Sequence, residues 1–446
     1  MKANYDIVVI GFGKAGKTLA AKFSKAGKSV ALVEKDKNMY GGTCINVGCI
    51  PSKRLITDAS KTPSGEFEKK AQYYKETVAE KKKLIAALNK ANYDKIAAAG
   101  VDIIDGTASF KDDHHIIVTT EDGNVEIEAE KFIINTGSVT VIPKIEGANS
   151  KGVYTSESMM NLDELPKGLT IVGGGYIGLE FASMYADFGS KVTVVQDGDI
   201  FLPREDEDIA KAIREVLEAK AVEIVTGAKV TKAEEGKLYY EASGESKTLD
   251  SDAILLAVGR RPNTDGLGCE NAGVKLTDRG GVVTDEHLKT SVDNIWAAGD
   301  VCGKLQFTYI SLDDSRIIWD EIMGDDKRTT ENRGAFSYSV FINPPFSRVG
   351  MSEKDAKAAG VEYKVLSLSA NAIPKAKVLR KTDGLLKALV KADGTILGAE
   401  LFCEESYEMI NFIKLAMDHN IKAKDIVNFI FTHPTMSESL NDLFAM

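Results

Sequence analysis

The chain has 446 residues, 43% of them hydrophobic and 27% charged, which is the composition of an ordinary globular protein of about three domains. It carries 66 acidic and 56 basic residues, and the net charge of −10 argues against partners such as nucleic acid or an anionic membrane. The sequence opens on a short apolar strand, has no run of 18 apolar residues and contains only five cysteines, so we expect a cytoplasmic protein without a signal peptide, a membrane span or an extracellular disulfide framework.

The chain contains two copies of one pattern, in which a buried strand leads through a glycine-rich loop into a helix and a second strand. In the first copy, strands are predicted at 6–10 and 29–34, with a helix at 17–26. In the second copy, the strands are 169–172 and 191–195, and the helix between them ends near residue 188. Each copy continues into alternating segments typical of a small antiparallel insert. The repeat predicts an α/β protein with two Rossmann-like, three-layer nucleotide-binding domains.

Both glycine loops follow a strand and open a helix, as a dinucleotide-binding loop must. Their glycines are Gly11, Gly13 and Gly16 in the first copy, and Gly173, Gly175 and Gly178 in the second. Without side chains, these residues let the backbone approach a pyrophosphate, whose charge is stabilised at the helix N-terminus. Ordinary tight turns are the alternative. Two such loops in the same context favour two dinucleotides, and hence electron transfer between a nicotinamide and a flavin.

The residue at the end of the second strand differs between the copies. Glu34 in the first copy is placed to accept hydrogen bonds from a ribose. Gln196 takes this place in the second copy, where a carboxylate would favour NADH and an arginine would favour NADPH. Because no arginine follows within five residues and glutamine does not repel a phosphate, we predict that both nicotinamides can serve.

Two other regions have no glycine loop. Residues 65–99 are rich in Lys, Glu and Ala with helical spacing, which predicts one or two exposed scaffold helices. From residue 336 the pattern changes to short strands around an Asp393-Gly394 hairpin turn, with helices at 407–418 and after Pro434. This pattern predicts a C-terminal α+β domain that supplies an interface or part of a site.

Cys44 and Cys49 lie five residues apart in a segment that contains Gly48. In an ideal helix, their Cα atoms would be ~8.7 Å apart, whereas a disulfide tolerates at most ~7 Å. A bridge between them therefore requires a distorted backbone, and a strained disulfide is easily reduced. The alternatives are a zinc site, which lacks a second Cys/His pair, and two structural thiols. We favour a redox-active pair and predict no metal site.

His433 is the histidine with the most distinctive surroundings. Pro434 biases it away from helical geometry, and Glu438 is close enough in sequence to orient its imidazole. The alternative is a cap of the helix that follows. We favour the more specific interpretation that His433, oriented by the Glu438 carboxylate, is an acid/base that acts on thiols.

The two glycine loops, the Cys44/Cys49 segment and the segments 290–300 and 433–438 resemble the class I pyridine nucleotide–disulfide oxidoreductases, over essentially the whole chain. The resemblance implies FAD at Gly11, Gly13, Gly16, Glu34, Gly42, Thr43 and Asp300, and NAD(P)H at Gly173, Gly175, Gly178 and Gln196. Lys53, Thr136, Gly137 and Gly259 complete the expected cofactor-binding set. The domain limits that we expect are 1–144 and 266–335 for FAD, 145–265 for NAD(P)H, and 336–446 for dimerisation.

The same resemblance implies roles for the catalytic residues. Cys49 would lie against the flavin as the charge-transfer thiolate, and Cys44 would be the interchange thiol that meets substrate. Lys53 would sit near the reactive flavin edge, paired with Glu180. His433 and Glu438 would come from the other subunit, so that the active site requires a homodimer.

Segments outside the shared motifs resemble a subgroup, the bacterial reactive-chlorine-resistance flavoproteins and hypothiocyanous acid reductases. These segments are 11–18, 39–45, 201–206, 305–314, 343–351 and 437–444. We therefore expect hydride transfer from NAD(P)H through FAD to the Cys44–Cys49 disulfide, and then reduction of a small oxidant, with hypothiocyanous acid preferred. We expect a helix N-terminus after Cys44 and the His433 imidazolium to stabilise the attacking Cys44 thiolate. Lipoamide dehydrogenase or another disulfide reductase, copper(II) reduction and a non-catalytic redox sensor are the alternatives.

Overall fold

The structure is a computed structural model that describes residues 3–325 and 327–446. The first part forms β1 Asn4–Ile10, α1 Lys14–Lys25, β2 Val30–Glu34, α2 Thr43–Asn46, α3 Cys49–Ala59, α4 Phe67–Ala97, β3 Asp102–Asp105, β4 Thr107–Phe110, β5 His115–Thr120, β6 Gly123–Ile134 and β7 Ser138–Thr140. The middle forms β8 Val153–Thr155, α5 Ser156–Met159, β9 Gly168–Val172, α6 Tyr176–Phe188, β10 Lys191–Val195, α7 Glu207–Ala219, β11 Val222–Val225, β12 Ala228–Glu234, β13 Lys237–Ala242, β14 Glu245–Asp250, β15 Ala253–Leu256 and β16 Arg260–Pro262. The last part forms β17 Ile295–Ala297, α8 Thr308–Met323, β18 Ser337–Val340, β19 Phe346–Gly350, α9 Glu353–Ala358, β20 Lys364–Ser369, α10 Pro374–Leu379, β21 Leu385–Val390, β22 Ile396–Phe402, α11 Ser406–Asp418, α12 Ala423–Val427 and α13 Ser439–Ala445.

The first sheet has the strand order β3-β2-β1-β6-β5-β4, and β17 pairs with the end of β6. Strands β1, β2, β3, β6 and β17 are parallel, whereas β4 and β5 form the antiparallel insert. Apolar side chains of β1 and β2 point to both faces, where one core includes Leu19 and Phe23 of α1 together with Ile317 and Ile318 of α8. The strand β17 and the helix α8 come from beyond residue 290, so the chain returns to complete this unit.

The second sheet repeats this plan. Its five strands are all parallel, in the order β11-β10-β9-β15-β8, and the antiparallel insert is the separate sheet β12-β13-β14. Helix α6 packs against the sheet and buries nine of its residues. The two copies therefore confirm the predicted fold class of two Rossmann-like units. Among the described residues, no helix is long and apolar enough to cross a membrane.

The C-terminal sheet is antiparallel throughout, in the order β18-β19-β22-β21-β20. Helices α11, α12 and α13 cover it, and their apolar residues form one core with the strands. This is the predicted α+β domain. The region 65–99 contains a single helix, α4, of 31 residues, which is largely exposed as predicted and buries Tyr74, Val78 and Lys81 on one side.

A buried polar junction joins the second unit to the C-terminal domain. The Lys387 side chain on β21 is inaccessible to solvent, and its ammonium lies 2.9 Å from Asp206 Oδ2 and 3.0 Å from Asp208 Oδ1. The Glu353 carboxylate contacts the same ammonium. Glu400 lies beside this group, and burial together with repulsion from Asp206 raises its pKa to about 9. Lys387 is thus the cation that compensates the buried Asp206 carboxylate at this junction.

We expect Lys387→Met to lower the free energy of unfolding by about 3–5 kcal/mol, because it leaves the Asp206 carboxylate buried without its cation. Chemical denaturation measures the change. Lys391→Met, an exposed lysine just after the same strand, is the control and should change stability by less than about 0.5 kcal/mol. A Lys387→Met variant as stable as the control would contradict this account of the junction.

Candidate functional site

A cleft of about 2530 Å³ lies between the two nucleotide-binding units and the C-terminal domain. Its walls include both glycine loops, the segment from Gly41 to Lys53 and residues 335–341. A typical small-molecule site has a volume of roughly 300–1,000 Å³. The cleft therefore has room for more than one extended cofactor.

The first glycine loop is held against the end of β6 by backbone contacts that exclude side chains. Gly11 has φ +104°, and a Cβ on it would lie 2.3 Å from the Asn135 carbonyl oxygen. A Cβ on Gly16 would lie 2.4 Å from the Gly11 oxygen, and one on Gly13 would lie 2.4 Å from Asn135 Oδ1. Gly42 has φ +81° and packs against Gly13. The loop and the redox segment thus form one cradle that fits a pyrophosphate-containing cofactor.

Asn135, which was not predicted as a site residue, holds this cradle together. Its Oδ1 accepts a hydrogen bond from Gly16 N at 2.8 Å, and its Nδ2 donates to the Ala298 carbonyl at 2.6 Å. The side chain therefore ties the start of α1 to the chain beyond β17. A polar residue at the end of an otherwise apolar strand was the available signal.

A buried carboxylate, Glu34, and a half-buried one, Asp300, line the cleft. Glu34 accepts hydrogen bonds from Phe12 N at 3.0 Å and from Asp36 N at 3.2 Å, and Asp300 accepts one from Ser138 Oγ at 2.7 Å. Burial raises the pKa of both carboxyl groups, so each gains from a further hydrogen-bond donor. The hydroxyl groups of a ribose or a ribityl chain are suitable donors. Thr43, Thr136 and Gly137 line the same part of the cleft.

The second glycine loop has equally close packing. Gly173 has φ +112°, and a Cβ on it would lie 2.5 Å from the Ala257 oxygen, while a Cβ on Gly178 would lie 2.0 Å from the Gly173 oxygen. Gly175, just before α6, instead faces open space and lines the cleft, as does Gly259. Backbone therefore approaches the cleft directly where the helix begins.

Gln196 is not among the residues that line the cleft. Its Nε2 donates hydrogen bonds to the carbonyls of Gly198 at 2.8 Å and Ile200 at 3.0 Å, so its N–H groups close the loop after β10. That loop brings Arg204 to the cleft beside Tyr176. Arg204 was not predicted, because it lies eight residues after Gln196 and an arginine was expected within five.

The cysteine pair lies at an interrupted helix. Cys44 is in α2, Cys49 is the first residue of α3, and between them Gly48 has φ −125° and ψ −115°. A Cβ on Gly48 would lie 2.9 Å from the Thr43 oxygen. The predicted distortion of the backbone at Gly48 is therefore confirmed. Both residues are free thiols in this structure, and one hydrogen-bonds to the other.

The two thiols have opposite acidities. The hydrogen bond from Cys44, followed by the Thr308 hydroxyl at 3.6 Å and the Lys53 ammonium, lowers the pKa of Cys49 to about 6. The hydrogen bond to Cys49, together with burial, raises the pKa of Cys44 well above that of an ordinary thiol. The thiol with the lowered pKa, Cys49, is therefore the first to ionise. Stabilisation of the Cys44 thiolate by a helix N-terminus stays a prediction.

Lys53 and Glu180 form the ion pair that the resemblance implies. Lys53 Nζ lies 2.6 Å from Glu180 Oε2 and 4.8 Å from the centre of the Phe341 ring. Glu180 Oε1 accepts a hydrogen bond from Phe341 N at 2.9 Å. Residues from α3, α6 and the C-terminal domain thus meet beside Cys49.

His433 and Glu438 contact each other but not the cysteine pair of their own chain. His433 Nδ1 lies 2.7 Å from Glu438 Oε2, and Glu438 Oε1 accepts a hydrogen bond from Thr435 N at 3.2 Å. The His433 side chain is 73% exposed, and neither residue is among those that line the cleft. Nearby, Ile430 is 93% exposed. An oriented imidazole and an apolar surface therefore face away from the chain that carries them.

Comparison with known proteins adds to this geometry. Residues 5–315 match the sequence profile of the pyridine nucleotide-disulphide oxidoreductases, and residues 336–444 match the profile of their dimerisation domain. The chain is 47% identical over 445 residues, 99% of each chain, to the probable pyridine nucleotide-disulfide oxidoreductase RclA of Escherichia coli. It is 34% identical over 447 residues, 97% of this chain and 94% of the relative, to dihydrolipoyl dehydrogenase of Geobacillus stearothermophilus.

Solved structures give the same picture. The Cu(II) complex of the HOCl-induced flavoprotein disulfide reductase RclA from Escherichia coli superposes with a TM-score of 0.94 at 47% identity, over 100% of this chain and 99% of that chain. The structure described as the HOCl-induced flavoprotein disulfide reductase RclA from the same organism superposes with a TM-score of 0.93 at 46% identity, over 99% and 100% of the chains.

Thr308→Val should raise the pKa of Cys49 by about one unit, because the variant removes a hydrogen-bond donor to the thiolate. In the reduced protein, alkylation of Cys49 at pH 6 should slow roughly fivefold, and the difference should vanish well above pH 8. Mass spectrometry of iodoacetamide-treated protein measures the rate. Thr119→Val, at an exposed position on β5, is the control. An unchanged pH profile would show that Thr308 does not stabilise the thiolate.

Proposed function

Because the chain belongs to the pyridine nucleotide-disulphide oxidoreductases, a family of enzymes that use FAD and NAD(P)H, we propose that it reduces a small reactive oxidant through Cys44 and Cys49, with hypothiocyanous acid as the substrate. The observation that carries the proposal is the pair of contacting thiols with opposite acidities beside the Lys53–Glu180 ion pair. The similarity to a flavoprotein described as HOCl-induced supports a reactive oxidant as the substrate. We infer that the enzyme acts in the cytoplasm, where cellular reductants keep the remaining cysteines as thiols.

The residues present fit the two cofactors. We propose that residues 1–144 and 266–335 hold FAD in the cradle of Gly11, Gly13, Gly16 and Gly42, with Glu34 and Asp300 as hydrogen-bond acceptors. Residues 145–265 would hold NAD(P)H at Gly173, Gly175 and Gly178. Bound FAD would supply hydride acceptance from NAD(P)H and transfer of two electrons to the cysteine pair. Lys53, fixed by Glu180, keeps a positive charge beside Cys49 and favours its thiolate.

The thiols then reduce the oxidant in two displacements. Cys44, deprotonated by the partner subunit's His433, attacks the sulfur of hypothiocyanous acid; a sulfur–sulfur bond forms and the sulfur–oxygen bond breaks. The hydroxide leaves as water with the proton that the imidazole holds. Cys49 thiolate attacks the Cys44 sulfur, releases thiocyanate and closes the disulfide. The oxidant gains two electrons and the thiol pair loses two.

This order of events follows from the acidities. The lowered pKa of Cys49 favours its thiolate without a base, whereas the raised pKa of Cys44 means that this thiol needs one. The Glu438 carboxylate accepts from His433 Nδ1, which leaves Nε2 as the atom that exchanges a proton with Cys44. This difference suits a site in which Cys44 stays protonated, and therefore unreactive, until the oxidant and the base are both in place.

Cys44→Ser should lower turnover of NADH with hypothiocyanous acid on the order of 10³-fold, because the attacking nucleophile is lost. Cys269→Ala, at a buried thiol distant in sequence from both cysteines, is the control and should keep the wild-type rate. An anaerobic reductive titration, followed by oxidation with hypothiocyanous acid, lipoamide or oxidised glutathione, identifies the substrate. Full turnover by Cys44→Ser, or faster oxidation by lipoamide or glutathione, would contradict the proposal.

A second candidate is copper(II) reduction, because the similar Escherichia coli structure is a Cu(II) complex. Thiolates bind soft copper ions, and Cys44 and Cys49 are adjacent thiols open to the cleft. The double variant Cys44→Ser/Cys49→Ser separates the routes. Loss of copper-dependent NADH oxidation would assign reduction to the thiols, whereas retention would remove them from the copper reaction.

Mixed dimers test whether the site is shared between subunits. Cys44→Ser and His433→Gln chains are each expected to be inactive as homodimers. In a mixed dimer, the cysteine pair of the His433→Gln chain would meet the intact imidazole of the other chain, so about half of the wild-type rate should return. Co-expression with two affinity tags isolates this dimer. If each site used its own chain's histidine, the mixed dimer would stay inactive.

A further inference from the structure

Lys17 is a charged residue beside the redox segment for which the proposed mechanism has no role. It lies in the second turn of α1, four residues after Gly13, and its side chain is half-buried. Lys17 Nζ donates hydrogen bonds to the Gly41 carbonyl at 3.2 Å and to Asn92 Oδ1 at 2.6 Å. Asn92 is itself fixed on α4 by a 2.7 Å hydrogen bond to the Leu88 carbonyl.

The acceptor Gly41 belongs to the turn that presents Cys44. Gly41 and Gly42 both have positive φ, at +98° and +81°, and α2 begins immediately afterwards. The other side of this turn is held by Asn46, which donates to the carbonyls of Tyr40 at 3.0 Å and Gly42 at 2.9 Å. Lys17 therefore fixes the turn from α1, and its ammonium cannot leave without breaking two hydrogen bonds.

The Lys17 ammonium donates its hydrogen bonds to neutral oxygens, and some of its charged neighbours repel it while one attracts it. Lys14 on the same helix and Lys95 on α4 repel it, while Cys44 attracts it once Cys44 has lost its proton. Burial lowers the pKa of Lys17 to about 8, so the ammonium is charged at neutral pH and is lost as the pH rises through that value. The reciprocal interaction favours the Cys44 thiolate.

We propose that Lys17 is a positioning residue that holds the Gly41–Gly42 turn and places a positive charge beside Cys44 at neutral pH, so that this thiol can ionise next to an already ionised Cys49. The inference rests on the proposed function of Cys44 as the thiol that meets the oxidant. The same charge stabilises the anions at this sulfur, which are the thiolate before attack and the departing thiocyanate after resolution. Lys17 thus opposes the cost of generating two thiolates in one small site.

The test measures the ionisation of Cys44 by itself. In a Cys49→Ser holoenzyme, the rate of Cys44 alkylation by iodoacetamide is followed against pH, with fold and flavin content checked by circular dichroism and absorbance. Lys17→Met should raise the apparent pKa of Cys44 by about one unit and slow alkylation at neutral pH about tenfold. Lys25→Met, at an exposed position in the last turn of the same helix, should leave the profile unchanged.

Two further substitutions separate charge from hydrogen bonding. Lys17→Gln keeps an N–H donor for the Gly41 carbonyl but removes the charge, and should behave like Lys17→Met. Lys17→Arg keeps the charge and should restore most of the rate. If the pH profile of Cys44 alkylation in Lys17→Gln equals that of the wild type, the proposal is overturned, because the residue would then act only through the hydrogen bond. If Lys17→Met does not fold, the Lys17→Gln profile alone tests the proposal. Full turnover by Cys44→Ser would instead refute the proposed function, whereas the alkylation of Cys44 would still show whether Lys17 favours its ionisation.

Discussion

The interruption of one helix at Val47 and Gly48 is the constraint on which the chemistry depends. A continuous helix would hold the Cys44 and Cys49 sulfurs too far apart to join, whereas the break brings them into hydrogen-bonding contact. Contact also makes the thiols unequal, because one donates the hydrogen bond that stabilises the other as a thiolate. A local backbone distortion thus creates both a pair that can close and a fixed order of ionisation within it.

Around this break, each neighbouring element contributes one group to the electrostatics of the pair. Helix α8 brings the Thr308 hydroxyl, and α3 brings the Lys53 ammonium, which pairs with Glu180 of α6. Glu180 in turn accepts a hydrogen bond from the backbone of Phe341. Helix α1 adds a second ammonium on the Cys44 side. Charges and hydrogen bonds around the two sulfurs therefore connect the three domains. Away from the sulfurs, the buried Lys387–Asp206 ion pair joins two of these domains.

Much of this could be predicted from the sequence, because the decisive signals are local. A glycine loop between a strand and a helix, or two cysteines five residues apart, carries its geometric consequence within a short segment. Strand β10 was predicted with its observed limits for this reason. Asn135, Thr308 and Lys17 act on parts of the chain that lie 24 to 259 residues away, and no pattern within their own segments shows the residue that they will meet. The His433–Glu438 contact was predicted from spacing, but its place relative to any cysteine was not.

The orientation of His433 away from its own cleft has a consequence for how the protein would behave in a cell. On the proposed arrangement, the cysteine pair of a monomer can be reduced, but the monomer lacks the imidazole that transfers protons when the pair reduces the oxidant. Its output would then depend on the square of its abundance at low expression and become linear once pairing is complete. Activity would therefore rise steeply once the protein concentration exceeds the dissociation constant of the dimer. Below that concentration, little NAD(P)H would be consumed by reduction of electrophiles.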